Sequence, residues 1–128
     1  MEKLFWVCVG SAVGGGVRYL VSDWALRTFG LAFPYGTLAV NLVGSLLMGV
    51  LMATALQTTV LSPVVRLALT TGVLGGFTTF STFSYETMRS IQTGAFGLAL
   101  GNVLANVVGG LLACTAGWAG AKRLFGIF

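Results

Sequence analysis

The chain reads as long apolar stretches broken by a few polar clusters. Thr28 to Val65, Leu67 to Tyr85 and Ser90 to Ala121 contain no Asp, Glu, Lys or Arg. A bilayer core about 30 Å thick takes about 20 apolar residues per helix, so the pattern predicts four membrane-crossing helices. The first runs from about Leu4 to Arg27. Pro34 suits the first turn of a second, which extends from about Tyr35 to Gln57, because the N–H that proline lacks is unpaired there anyway. Ser62 as N-cap and Pro63 at the first helical position open a third, reaching about Thr93. Gly94 marks a short turn, and the fourth spans about Ala95 to Leu124. Lys3 followed by an apolar run resembles a signal peptide, but Gly10, Gly14, Gly15, Gly16 and Arg18 interrupt that run. No small-residue cleavage site leads into a soluble domain, so the segment is read as the first transmembrane helix.

Composition agrees. Of 128 residues, 56% are hydrophobic and 8% charged, with a mean hydropathy of +0.94, whereas soluble domains carry about 25% charged residues. The expected fold is a single all-α integral membrane domain over residues 1–128, with the lipid bilayer as its surroundings. The net charge of +4 sets seven basic residues against three acidic ones. The basic residues are scattered as membrane-flanking anchors, except for Lys122-Arg123, and no nucleic-acid surface is expected.

Four crossings place both termini on one side. Lys3, Arg66, Lys122 and Arg123 then fall near that side, and Arg18, Arg27 and Arg89 towards the other. So small a bias specifies orientation weakly. A four-helix chain is also too small to enclose a wide channel alone, so the expected working unit is an antiparallel, dual-topology homodimer. Nineteen glycines favour tight assembly, with Gly10-xxx-Gly14, Gly72-xxx-Gly76 and Gly97-xxx-Gly101 as small-xxx-small patterns.

Against this background one segment stands apart: Gly75-Gly76-Phe77-Thr78-Thr79-Phe80-Ser81-Thr82-Phe83-Ser84-Tyr85-Glu86. Paired glycines and hydroxyls at membrane depth point to a third helix broken near its middle, around 75–79, and lining a polar path. A break at Gly75-Gly76 frees carbonyls, which a bound cation can satisfy. Phe77, Phe80 and Phe83 recur at i, i+3, i+6, beside a row of Thr78, Ser81 and Ser84. Phenylalanine ring edges carry partial positive charge and can face an anion.

Other polar groups at depth need partners, since unsatisfied ones cost several kcal/mol in hydrocarbon. Asn41 is either interhelical glue or an amide donor to a passing solute. Asn102 and Asn106 share one helix face, which Gly110 and Cys114 continue. Those two asparagines can line a path or clamp a dimer. Arg18 can snorkel or line an aqueous vestibule, and Glu86 can pair with Arg89 at i, i+3. Cys8 and Cys114 lack CxxC spacing and the chain has no His, so neither disulfide nor cysteine metal site is expected. With no carboxylate pair or activated nucleophile either, no enzyme constellation is present.

Across nearly its whole length the chain resembles the Fluc (CrcB) fluoride channel family. The matching motifs are Gly14-Gly15-Gly16-Val17-Arg18-Tyr19, Gly36-Thr37-Leu38-Ala39-Val40-Asn41, and Thr70-Thr71-Gly72-Val73-Leu74 running on through Gly75 to Ser84. The resemblance implies an antiparallel dimer with fluoride pores and a structural sodium ion at its centre, held by the carbonyls of Gly75 and Thr78 from each subunit. It implies Phe80 and Phe83 as pore phenylalanines, Asn41 as the pore amide, and Arg18 at the vestibule. Thr79, Ser81, Thr82, Ser84 and Asn106 would join the polar lining. Gly110 and Cys114 depart from the family, where Ser and Thr are common, and Thr115 lies one residue off that face. The implied role is passive export of cytoplasmic fluoride through the inner membrane of a prokaryote. Two other classes compete with it. A small proton-coupled four-helix multidrug exporter needs a carboxylate at depth, and Glu2, Asp23 and Glu86 fall towards helix ends. A non-transporting membrane assembly subunit accounts for the glycines but not the hydroxyl–phenylalanine segment.

Overall fold

The computed structural model describes residues 1–57 and 61–126, which form helices and short connections. Helix α1 is Glu2–Phe29 and α2 is Tyr35–Gln57. Helix α3 covers residues 63–77 as an α-helical start, Pro63–Leu67, a π-helical stretch, Ala68–Leu74, and a last turn, Gly75–Phe77. Helix α4 is Phe80–Gln92 and α5 is Phe96–Leu124. Together α3 and α4 make one span bent by 20°, so four spans are long and apolar enough to cross a membrane.

The local signals act as read. Ser62 caps α3 by accepting a hydrogen bond from the Val65 N–H at 3.3 Å, with Pro63 following it. Pro34 sits one residue earlier than expected: its carbonyl accepts the first helical bond, from the Leu38 N–H at 3.1 Å, before α2 begins at Tyr35. The turn after α4 needs Gly94, whose φ of +78° lies in the left-handed region that side chains disfavour.

Helices α1 and α3 meet backbone to backbone. A methyl group at Gly76 would lie 2.5 Å from the Ser11 carbonyl oxygen, and one at Gly10 would lie 2.6 Å from that of Ala68. The Gly10/Gly14 and Gly72/Gly76 patterns therefore serve close approach, as small-xxx-small motifs do. Within one chain Gly97 makes no such approach, having open space beside it, and Gly101 meets only the Phe33 ring at 3.9 Å. The close approach of α2 to α5 is instead made by Gly49 and Gly117, set against the carbonyls of Cys114 and Leu46. Both cysteines are free.

The break in the third span lies later than the glycines suggest. Gly75 is regular helix at φ −62°, ψ −38°, whereas Thr78 (φ −83°, ψ 158°) and Thr79 (φ −150°, ψ 113°) are extended. Glycine at 75–76 answers a packing need, and the chain turns where threonine hydroxyls can take over backbone hydrogen bonds. The Thr78 hydroxyl donates to the Leu74 carbonyl at 2.9 Å, and the Thr79 hydroxyl oxygen caps α4 by accepting from the Thr82 N–H at 3.2 Å. The break also divides the phenylalanine row. Phe77 is buried with Val40 and Leu74 in the small core, leaving Phe80 and Phe83 as a separate pair.

Candidate functional site

Extended backbone inside a helical span exposes N–H and C=O groups that hydrocarbon cannot satisfy. Here Asn41 satisfies both backbone groups of Thr79. Its Oδ1 accepts the Thr79 N–H at 2.8 Å while its Nδ2 donates to the Thr79 carbonyl at 3.1 Å. The Thr78 carbonyl accepts from the Arg18 guanidinium at 3.4 Å. Arg18 thus reaches inward to the break and lines neither of the two neighbouring clefts.

From Asn41 the polar contacts continue in one direction. Its Nδ2 donates to Asn106 Oδ1 at 2.8 Å, and the Asn106 Nδ2 donates to Asn102 Oδ1 at 2.9 Å and to the Asn102 carbonyl at 3.0 Å. Asn102, 1% exposed, donates to the Thr87 hydroxyl at 3.0 Å, which donates to the Phe83 carbonyl at 2.8 Å. Backbone groups fix the orientations. A flipped Asn41 would set an N–H against the Thr79 N–H, and a flipped Asn106 would set an oxygen against the Asn102 carbonyl. This chain of bonds clamps α2, α4 and α5 of one chain together and fixes the way Asn41 points.

A cleft of about 500 Å³ runs along this chain. Asn41, Ser45 and Met48 of α2 face Asn106, Gly110 and Cys114 of α5, with Thr78, Thr79, Phe80 and Phe83 beside them. The two rings lie 5.4 Å apart at 52°, yet differ sharply: Phe83 is 7% exposed and Phe80 is 76% exposed. Asn41 and Asn106 both line the cleft with their N–H groups engaged, Asn106 on Asn102 and Asn41 on the Thr79 carbonyl and Asn106 Oδ1. Thr115 does not line it and donates its hydroxyl to the Leu111 carbonyl at 2.8 Å.

A second cleft, of about 590 Å³, opens one helical turn away. Thr37, Thr82, Tyr85, Glu86 and Arg89 line it, with Pro34 and Tyr35 at the α1–α2 turn. Thr37 to Asn41 and Thr82 to Thr79 are each about one turn, so the Asn41–Thr79 pair stands between the clefts. Glu86 does not pair with Arg89. Its Oε1 accepts from the buried Thr37 hydroxyl at 2.7 Å, because the packing of α2 on α4 offers a nearer donor. Its Oε2 is buried without a partner among the described residues. Arg27 with Asp23, at 2.9 Å, is the ion pair found among these residues.

Of the hydroxyls, Ser84 bonds to the Phe80 carbonyl at 2.8 Å, whereas exposed Ser81 and Thr82 keep their contact to the Thr79 hydroxyl at 3.3 and 3.0 Å. The Thr78–Ser81–Ser84 row is thereby dispersed. Ser45 and Thr37 are site residues that helical spacing alone could have found, since they stand four residues either side of Asn41.

The family described as "CrcB-like protein, Camphor Resistance (CrcB)" matches residues 5–118. A protein of Sorangium cellulosum is 47% identical over 124 residues, covering 97% of this chain and 98% of its own. One of Geobacter sulfurreducens is 48% identical over 124 residues, 97% of this chain and 100% of its own. One of an Anaeromyxobacter species is 49% identical over 116 residues, 91% and 92% of the two chains. Each carries the name fluoride-specific ion channel FluC. By sequence, over nearly its whole length, this chain belongs to the CrcB family.

Proposed function

We propose that this chain is a fluoride-selective channel through which cytoplasmic fluoride leaves a prokaryotic cell passively, across the inner membrane, lowering its toxicity. The observation that carries the reading is the cleft walled by Asn41, Phe80 and Phe83 in a chain whose relatives bear the FluC name. Moving even a carboxylate-sized ion into a low-dielectric medium carries an idealised cost of about 20 kcal/mol, and fluoride is smaller. A path must therefore replace water with donors, yet hold the ion weakly enough for release. Hydroxyl and aromatic-edge donors, with an Asn41 amide that would give up its bond to Asn106 for the ion, answer both demands, and no fixed cation stands on the wall of this cleft.

The path runs from the cleft at Thr37 and Thr82, past Asn41 and Thr79, to the cleft that ends at Cys114. Ser81 stands at its side, and Arg18 contributes a positive field from behind the break. The working unit is an antiparallel homodimer. Phe80 belongs to the cleft wall yet is largely exposed in one copy, and a second copy across the open face completes that wall.

A sodium ion at the dimer centre fits the donors. The Thr79 N–H, which a continuous helix would give to the Gly75 carbonyl, goes to Asn41 instead. The Gly75 carbonyl is released from that bond, and the Thr78 carbonyl meets only a long contact from Arg18. These hard oxygens, from both copies, would hold the ion. It would supply a fixed charge tying the two breaks together.

The competing exporter requires a carboxylate that loads and unloads protons, and Glu86 comes nearest. Proteoliposomes loaded with fluoride and given an ionophore to balance charge separate the two. Efflux down the fluoride gradient with no pH difference supports the channel; efflux only when a proton gradient is imposed overturns it.

A further inference from the structure

The far half of the cleft poses a chemical problem: beyond Asn41 and Asn106, α5 presents Gly110 and Cys114, and Met48, Val107 and Leu111 add apolar wall. Nothing on α5 there is a strong donor. We infer that Ser45 of α2 supplies the missing hydroxyl and is the next anion-contacting residue after Asn41, an inference that rests on the fluoride reading above.

Three observations carry this. Ser45 lies one turn beyond Asn41 on the same face of α2, about 6 Å along the axis, and both line the cleft. Its hydroxyl stands across from the bare glycine: a Cβ at Gly110 would be 3.5 Å from Ser45 Oγ. The oxygen absent from residue 110 is thus provided from the opposite wall. Finally, the Ser45 hydroxyl has no hydrogen-bond partner among the described residues. The hydroxyls of Thr70, Ser84, Thr87, Ser90 and Thr115 all donate to a carbonyl four residues back. A hydroxyl in the cleft that is not spent on its own helix can donate to a passing anion. Thr115 cannot take this part, because it lies outside the cleft wall and its hydroxyl is committed to Leu111.

The test uses unitary fluoride current in planar bilayers, which reports each open channel and is insensitive to how many molecules fold. Ser45→Ala is expected to lower it about fivefold, the equivalent of one hydrogen bond of about 1 kcal/mol. Adding Gly110→Ser to that variant restores most of the current, because the hydroxyl returns from the other wall and 3.5 Å is ordinary contact for the new Cβ. Wild-type current in Ser45→Ala overturns the inference. So does a double variant no better than Ser45→Ala, which would leave Ser45 a packing role only. A wild-type protein carrying no fluoride current overturns the channel reading itself, and this inference with it.

Discussion

The side-chain amide of Asn41 and the peptide group of Thr79 bond to each other twice, N–H to oxygen in both directions, at 2.8 and 3.1 Å. One side chain thereby pairs the Thr79 peptide group in the third span and also lines the cleft proposed as the fluoride path. The two roles separate by substitution. Asn41→Asp keeps an acceptor for the Thr79 N–H but removes both donors and adds negative charge. Fluoride flux is expected to fall at least about tenfold, a loss of about 1.4 kcal/mol, with the dimer still recovered by size-exclusion chromatography. Asn41→Ala leaves both Thr79 groups buried without partners, at about 1–3 kcal/mol each, and should lower thermal stability as well. Unchanged flux in Asn41→Asp would remove the amide from the path.

Asn102 lines no cleft and is buried, yet it holds Asn106 with its oxygen towards Asn41. Freed of Asn102, the Asn106 oxygen can turn into the cleft and repel an anion. Asn102→Leu is expected to lower unitary current, and Thr87→Val, which removes the end of the chain, to do so more mildly. Thr87→Ser should restore it. Equal currents in all three variants and the wild type would reduce the chain to a clamp.

Glycine positions differ in cost. Gly76→Ala drives a methyl against the Ser11 carbonyl at 2.5 Å, and backbone cannot yield cheaply; overpacking of this kind costs about 1–3 kcal/mol. Gly97→Ala enters open space within the chain and gains helix propensity of up to about 1 kcal/mol. Thermal melts of the two purified variants should therefore move in opposite directions, and a Gly76→Ala protein as stable as wild type would contradict the close approach of α1 and α3.

How much of this was legible before the structure depends on range. Helix ends were written locally: Ser62, Pro63 and Gly94 act through neighbours in sequence, and hydropathy gave all four spans. The Gly75-Gly76 pair was legible as special, but its purpose was not. Paired glycines serve equally for a break or for close approach, and only the position of Ser11, on another helix, decides between them. Glu86 shows the same limit. Its spacing to Arg89 suggested a pair, whereas its partner Thr37 lies 49 residues away. The shared face of Asn102 and Asn106 could be read from spacing, but the way each amide points could not. The compensation of Gly110 by Ser45 required two helices to be set side by side.

A sodium ion held by both copies, as proposed above, would stabilise the assembled protein by mass action, because it would bind the dimer and not the separated chains. Melting temperature is expected to rise with sodium at constant ionic strength and to level off at saturation, with choline as the replacement cation. The same melting temperature in sodium and in choline would remove the ion from the account.

The central claim is selective anion passage through the cleft between Asn41 and the Phe80–Phe83 pair. Proteoliposomes loaded with equal fluoride and chloride, and followed by two ion-selective electrodes after charge balance is provided, test it directly. Fluoride should empty rapidly from every vesicle holding the protein while chloride stays behind. Chloride leaving as fast as fluoride, or neither ion leaving, would contradict it.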